Sequence, residues 1–368
     1  MTPEEDGEVF AVITGGGTGG HVYPALALAD ELVSRGHPRD AIRFVGARRG
    51  LEARVVPEAG YTIDLLPGRG FRRRLAMANV GAAWDTLRAL VQARRVVSHT
   101  RPEVVVGVGG YASLPSLVAA RVQRVPTVVH EQNAAPGLAN RIAVRMGARA
   151  AVSLPGTPLR GALLTGNPVR AEVAAVRREP DPSHPLVTVF GGSLGAGTIN
   201  DAVLGLYERW RDRGDLTVHH VTGPRNYEAC SARLSAVRRS SDRLRFELVD
   251  YEDHMERLYA RTSVAVCRAG AITVAELAAA GVPAVLVPLP GAPGDHQTRN
   301  AEALVDAGAA IVVPDAECDA VRLDTELSGL LADAARLDAM AAAARTLGRP
   351  DAAADLAALV EEAARARR

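Results

Sequence analysis

The sequence contains no lysine; its 43 basic residues are all arginine. That bias reflects base composition more than chemistry. Set against 42 acidic residues, it leaves a formal charge of +1, without the basic excess that accompanies nucleic-acid binding. Cysteine is also scarce. Cys230, Cys267 and Cys318 stand far apart, which argues against a disulfide framework or a paired zinc motif and fits a reducing cytosol. The opening MTPEEDGEVF is acidic and lacks the charged-then-apolar order of a signal peptide. Long hydrophobic runs are missing as well. The most apolar stretch, 273–292, carries Glu276, three prolines and two glycines. It reads as helix, turn and buried strand, not as a membrane span.

What the chain does have is alternation. VFAVIT (9–14), IRFVG (42–46), EVVVGVG (103–109) and PTVVH (126–130) are short β-branched runs of the kind that forms parallel strands buried on both faces. Ala/Leu-rich segments at 24–35, 84–98 and 114–123 read as helices between them. After a Pro/Gly-rich passage at 153–170 the pattern restarts with PLVTVFGGSLGAGTINDAVL (185–204), and further strands are expected at 216–221, 244–249, 263–267, 283–287 and 309–313. A chain of 368 residues has room for two domains. The expectation is therefore an α/β protein of two doubly wound parallel sheets facing across a cleft. The first domain spans 1–166 and the second 167–350. An Ala-rich closing helix at 351–368 can pack back on either unit and is assigned to the first.

Ligands of such sheets bind beyond the carboxyl ends of the strands, so the loops there carry the functional reading. Gly15, Gly17 and Gly20 satisfy the G-x-G-x-x-G dinucleotide pattern, and His21 follows at once. A dinucleotide site also needs an acid at the end of the next strand. Gly46, Ala47, Arg48 and Arg49 stand there instead; the arginines leave an NADP oxidoreductase as an alternative. The second loop is GVGGYASLPS (107–116). The third, HEQNAAPGLANR (130–141), opens with His130, Glu131, Gln132 and Asn133 at the end of a buried strand. Leaving such groups unpaired costs about 1–3 kcal/mol each. They form either a structural network or a site for a hydroxyl-rich ligand, and the composition favours the ligand.

In the second unit FGGSLGA (190–196) repeats the glycine loop and offers Ser193 to a phosphate oxygen. Next, Gly270–Ile272 is expected to form a turn and Thr273 to open a helix whose N–H groups suit a diphosphate. Glu276, one turn in, is placed to accept from a ribose diol. Asp295, His296, Gln297 and Asn300 follow another strand.

Taken in order, GGTGGHVYPALALA, GVGGYASLPS, HEQNAAPGLANR, TGNPVR, GGSLGA, RAGAITVAELAAAGVPA and DHQTRNA resemble the MurG family, peptidoglycan glycosyltransferases of the GT-B fold. The resemblance runs from about residue 10 to about residue 313 and makes the first glycine loop a sugar–phosphate loop. It implies transfer of GlcNAc from UDP-GlcNAc to the C4 hydroxyl of the muramoyl sugar in lipid I, with inversion, yielding lipid II and UDP. By motif position it assigns Glu276 to the ribose, and Ser193 with Ala271, Ile272 and Thr273 to the diphosphate, Val274 and Ala275 continuing that stretch. Gln297, Asn133 and Asn300 are assigned to GlcNAc hydroxyls, Arg170 to the nucleotide's surroundings, and Thr18, Gly19 and Gly20 to the meeting point of the two substrates. Glu252 departs from the apolar residue expected near uracil. No cofactor is implied. Asp-x-Asp is absent, so no metal is expected, and leaving-group charge falls to helix dipole and backbone donors.

Inversion needs a base. His21 is favoured, oriented by Glu131; the reverse assignment, with Glu131 as base and His21 on the diphosphate, stays open. A lipid acceptor implies peripheral attachment to the cytoplasmic face of the membrane. In LPGRGFRRRLAMANV (66–80), Arg69, Arg72, Arg73 and Arg74 surround Phe71 and suit an anionic leaflet. Beside the oxidoreductase, the competing readings are a GT-B transferase with another acceptor and a non-catalytic nucleotide-sugar binding protein.

Overall fold

The computed structural model describes residues 9–48, 50–67, 78–110, 112–192 and 195–366, with backbone alone over 78–86. It falls into two compact units, Met1–Arg170 with Asp351–Arg368, and Ala171–Pro350.

In chain order, unit 1 contains β1 (Ala11–Thr14), α1 (Gly19–Ser34), β2 (Ile42–Ala47), α2 (Glu52–Glu58), β3 (Thr62–Leu66), α3 (Ala78–Thr100), β4 (Val104–Gly107), α4 (Ser113–Val122), β5 (Thr127–Glu131), α5 (Leu138–Arg145), β6 (Arg149–Val152) and β7 (Leu163–Leu164). Unit 2 contains α6 (Ala171–Ala174), β8 (Leu186–Phe190), α7 (Gly197–Trp210), β9 (Thr217–Val221), α8 (Tyr227–Val237), β10 (Arg245–Val249), α9 (Met255–Arg261), β11 (Thr262–Cys267), α10 (Ala271–Ala280), β12 (Ala284–Leu286), α11 (His296–Asp306), β13 (Ala310–Val312), α12 (Ala320–Leu331) and α13 (Ala334–Leu347). The chain then returns to unit 1 as α14 (Ala352–Arg365).

Both sheets are parallel among the described pairs, in the orders β3-β2-β1-β4-β5-β6-β7 and β10-β9-β8-β11-β12-β13. This is one topology used twice. The order reverses between β1 and β4 in unit 1 and between β8 and β11 in unit 2, the place where such sheets bind ligands. The strands are apolar on both faces for a reason visible in β4. Val104 and Val106 join a cluster with Ile13, Leu28, Leu32 and Leu356, whereas Val105 joins Val12, Leu66, Ala93, Val97 and Leu117 on the other side. Helices cover both faces, so alternation of polarity would bury a charge. In unit 2, Val187, Val189, Val264 and Val266 pack with Leu206, Tyr207, Trp210 and Leu327.

The structure moves three expected helix starts, α3 beginning at Ala78 instead of 84. Helix α1 begins at Gly19, five residues ahead of Pro24, which lies inside it; proline marks a first turn by its fixed φ, and two glycines of poor helix propensity hid the true start. Helix α10 begins at Ala271 with Gly270 as its N-cap, so Ala271–Thr273 are its first turn, not a turn before it. Strands β3, β6 and β7 were not expected. They are short; β3 is partly exposed and both residues of β7 are exposed.

Candidate functional site

In unit 1 the loops after β1 and β4 touch. Gly16 N–H donates to Gly109 O at 3.2 Å. Gly109 and Gly110 adopt φ of +92° and +86°, and a Cβ on Gly110 would lie 2.3 Å from Gly16 O. Only glycine permits both the conformation and the approach. The first loop's amides are spent inside the protein: Gly15 N–H goes to Val45 O (3.2 Å) and Gly17 N–H to Glu52 Oε2 (2.7 Å). Glu52 opens α2, is 2% exposed, and accepts also from Ala47 N–H (2.8 Å). An acid does therefore follow β2, five residues beyond its end, but it faces the glycine loop instead of a ribose. A dinucleotide pyrophosphate would find these three donors taken.

His21 lies in the first turn of α1 with its ring against Gly109, where a Cβ would come within 2.9 Å of it. Its Nδ1 is 3.2 Å from Gln132 Oε1. Desolvation lowers its pKa below the ordinary imidazole value, opposed by the Gln132 bond and by the charges of Glu131 and Glu52. The ring is thus neutral at physiological pH. Glu131 points elsewhere. Its carboxylate accepts from the N–H of Asn133 (3.1 Å) and Gly137 (2.8 Å), and from the side-chain amides of Asn140 (2.9 Å) and Asn133 (3.4 Å). It organises its own loop, and Gln132 takes the orienting contact foreseen for Glu131. The polar run at the end of β5 is a network turned inward: His130, Glu131 and Gln132 are buried. Thr18, Gly19 and Gly20 form the start of α1, with Thr18 O accepting from His21 N–H (3.1 Å) and Val22 N–H (3.2 Å).

In unit 2 the corresponding loops lead into α7 and α10. Neither helix has a side-chain cap, as is also so of α1, α4 and α5, whereas Asp319 and Asp333 cap α12 and α13. Uncapped first-turn amides with a positive end are what an anion needs. In α10 Val274 N–H already bonds Gly270 O (2.9 Å) and its side chain is buried, which leaves Ala271, Ile272 and Thr273 as the first-turn donors; Ala275 lies deeper in the helix. Glu276 is buried and accepts from Tyr259 OH at 3.0 Å. Asn300 is fully buried, its amide donating to Ala269 O (3.2 Å), and it shapes the turn before α10. Gln297 Oε1 receives Leu289 N–H (2.9 Å). Arg170 ends unit 1, half-buried. The Glu252 carboxylate is turned to His219 (3.4 Å) and to His254 N–H (2.8 Å).

Arg268, buried and unforeseen, donates to Val287 O, Pro288 O and Asp315, which also receives Thr198 OH; it ties together the segments after β11, β12 and β13. Ser193, Arg69, Phe71, Arg72, Arg73 and Arg74 lie outside the described residues. Among the described residues no helix is long and apolar enough to cross a membrane.

Residues 11–152 match the glycosyltransferase family 28 N-terminal domain, and residues 186–356 match the family's C-terminal domain. The chain is 44% identical over 365 residues to the UDP-N-acetylglucosamine--N-acetylmuramyl-(pentapeptide) pyrophosphoryl-undecaprenol N-acetylglucosamine transferase of Alkalilimnicola ehrlichii, covering 96% of this chain and 99% of that one. It is 37% identical to the enzyme of the same name from Halothermothrix orenii, with the same coverage. Among solved structures it is similar to MurG of Acinetobacter baumannii, with a TM-score of 0.78, 30% identity, and coverage of 96% of this chain and 99% of that one. Twin sheets of one topology, matched in order by both domain models of one family, give the conclusion that this chain belongs to glycosyltransferase family 28.

Proposed function

We propose that this protein transfers N-acetylglucosamine from UDP-GlcNAc to the C4 hydroxyl of the muramoyl sugar in an undecaprenyl-pyrophosphoryl acceptor, releasing UDP. The observation that carries this reading is near-full-length kinship to enzymes named for that transfer. The chemistry of each unit supports it. Unit 1 holds the acceptor: His21 takes the C4 proton as the oxygen attacks the anomeric carbon, a C–O bond forming as the bond to phosphate breaks. Unit 2 holds the donor: the amides of Ala271, Ile272 and Thr273, with Ser193, meet the diphosphate and the charge that grows on departing UDP. Glu276 accepts from the ribose; Gln297 and Asn133 serve the sugar, and Arg170 the nucleotide. The acceptor's lipid places the enzyme at the inner membrane surface, where the arginines at 69 and 72–74 flank Phe71 and meet anionic headgroups.

Incubation with UDP-GlcNAc and a lipid I analogue tests the reading directly. The expected products are the disaccharide and UDP; nicotinamide binding without UDP-GlcNAc binding overturns it. Replacing Arg72, Arg73 and Arg74 by Ser is expected to weaken binding to anionic vesicles, with turnover of a short-chain acceptor retained; equal vesicle binding by variant and parent removes that surface.

A further inference from the structure

Carbonyl oxygens only accept hydrogen bonds, so a chain of contacts ending on one fixes where its protons sit. His130 Nε2 lies 2.9 Å from Gly166 O and must donate to it; Ser153 Oγ, 3.2 Å away, shares that hydrogen. His130 is fully buried, and desolvation pushes its pKa down to about 4. The neutral ring carries one hydrogen, on Nε2, so its Nδ1 accepts. Gln132 Nε2 faces three acceptors: Val108 O at 2.9 Å, His130 Nδ1 at 3.1 Å and His130 O at 3.3 Å. Those contacts fix the amide's orientation and turn Gln132 Oε1 towards His21 Nδ1, 3.2 Å away. That oxygen only accepts, so Nδ1 of His21 carries the hydrogen and the lone pair is left on Nε2.

We propose that Gly166, His130 and Gln132 form a relay that sets the tautomer of His21, holding Nε2 free as the proton acceptor. His130 and Gln132 are then positioning residues, acting through His21 without touching substrate. The proposal rests on the reading of His21 as the base. A neutral imidazole in water prefers its hydrogen on Nε2, the form in which that nitrogen cannot take a proton. The relay reverses the preference without a carboxylate, using neutral groups that leave the base's pKa low. The charged groups that face the ring are Glu131 from β5 and Glu52 from α2, and the third titratable neighbour is His130 itself. The two carboxylates are engaged by backbone and amide donors; of the two neutral acceptors that bond the ring, Gln132 Oε1 and the Val108 carbonyl, the first lies against Nδ1.

The test is long-range proton–nitrogen NMR on the full chain labelled with 15N-histidine, the His21 signals identified by their loss in His21→Ala. The expected spectrum shows His21 protonated on Nδ1 and bare on Nε2; a hydrogen on Nε2 overturns the relay. Gln132→Met removes the acceptor. It is expected to shift His21 towards the Nε2–H form and to lower kcat about 10–10²-fold with KM for UDP-GlcNAc unchanged, less than the roughly 10⁴-fold loss when a triad's orienting carboxylate is replaced. Gln132→Glu, protonated on the oxygen that faces Val108 O and His130 Nδ1, keeps an acceptor opposite His21 Nδ1 and is expected to restore both the tautomer and most of kcat. Equal kcat in the two variants overturns the relay, and if the Met variant does not fold, the native spectrum decides. Full turnover by His21→Ala defeats the base reading alone, while a native Nε2–H ring in an enzyme that His21→Ala inactivates defeats the relay alone.

Discussion

Units 1 and 2 share a strand order and place glycine loops at the same point of it, yet the glycines serve different physical ends. In unit 1 they let backbone and side chains close up. Gly16 stands against the Glu52 carboxylate, Gly109 against His21, and Gly110 against Gly16, and the loop's amides are consumed internally. In unit 2 the loop after β8 is mixed: Gly191 and Gly195 stand against Ala196 and Thr222 O, whereas Gly192 and Gly197 have open space beside them, and the helices that follow have no side-chain cap, as α1 and α4 have none in unit 1. One topology thus yields a loop cluster in unit 1 that packs around His21 with its first amides bonded internally, and a loop in unit 2 with open space at Gly192 and at the start of α7. A glycine motif alone does not say which of these it encodes.

The contrast is broken most severely at His21, the proposed base. His21→Ala is expected to lower kcat by about 10²–10⁴ with UDP-GlcNAc affinity near the parent's, because the donor is proposed to bind unit 2. Initial rates and calorimetry on one preparation check both halves. If affinity falls instead and the acid limb of the rate–pH profile persists, His21 serves the phosphates and Glu131 becomes the base.

Next comes packing. Gly110→Ala meets left-handed backbone and a 2.3 Å approach to Gly16 O, and is expected to cost roughly 2–5 kcal/mol. Gly197→Ala, in the first turn of α7 with open space around it, should lie within about 1 kcal/mol of the parent, on the stabilising side. Denaturant unfolding of both variants gives the comparison, and similar costs would erase the distinction between these crowded and open positions.

Acid affects both units alike. His130 in unit 1 and His220 in unit 2 are fully buried, and desolvation lowers their pKa values to about 4 and about 3. Each binds its proton in the unfolded chain near pH 6.5 and in the folded one only at those lower values. Stability is full above 6.5 and declines as pH falls towards 4 and 3. The slope is about 1.4 kcal/mol per unit for each group, or about 2 kcal/mol each between pH 6.5 and 5. Unfolding at pH 7.5 and 5 measures it, and a flat profile would mean that neither ring is buried neutral.

The smallest change probes the open side. Glu276→Gln keeps an acceptor for Tyr259 OH, so the fold is retained, while an acceptor carboxylate for the ribose is lost. UDP-GlcNAc binding should weaken by about 1–3 kcal/mol; unchanged affinity by calorimetry removes Glu276 from that role.

The α/β class and the twin parallel sheets were legible because a strand covered on both faces writes itself as an unbroken β-branched run, as at Val104–Val106. Loops at strand ends were legible for the same reason. The side-chain bonds were not. Glu52 meets Gly17 across 35 residues of chain and Gln132 meets His21 across 111, and nothing local marks such a pairing. His130–Asn133 shows the remaining ambiguity: a polar cluster ending a buried strand is written in the same letters whether it faces a ligand or its own network. A glutamate with glycines at 46 and 50 around it was the one available signal for Glu52, since those glycines leave the volume its carboxylate fills.

The return of α14 to unit 1 makes unit 2 an insertion within unit 1's chain. Leu356, Leu359 and Val360 complete a core with Ile13, Leu28 and Val106, and Arg35 grips Glu361 at 2.9 Å. On the ribosome those residues emerge after all of unit 2. Unit 1 therefore waits with one face of its sheet only partly covered, by α1 and α2, while unit 2 is already complete, and the order of synthesis readies unit 2 first.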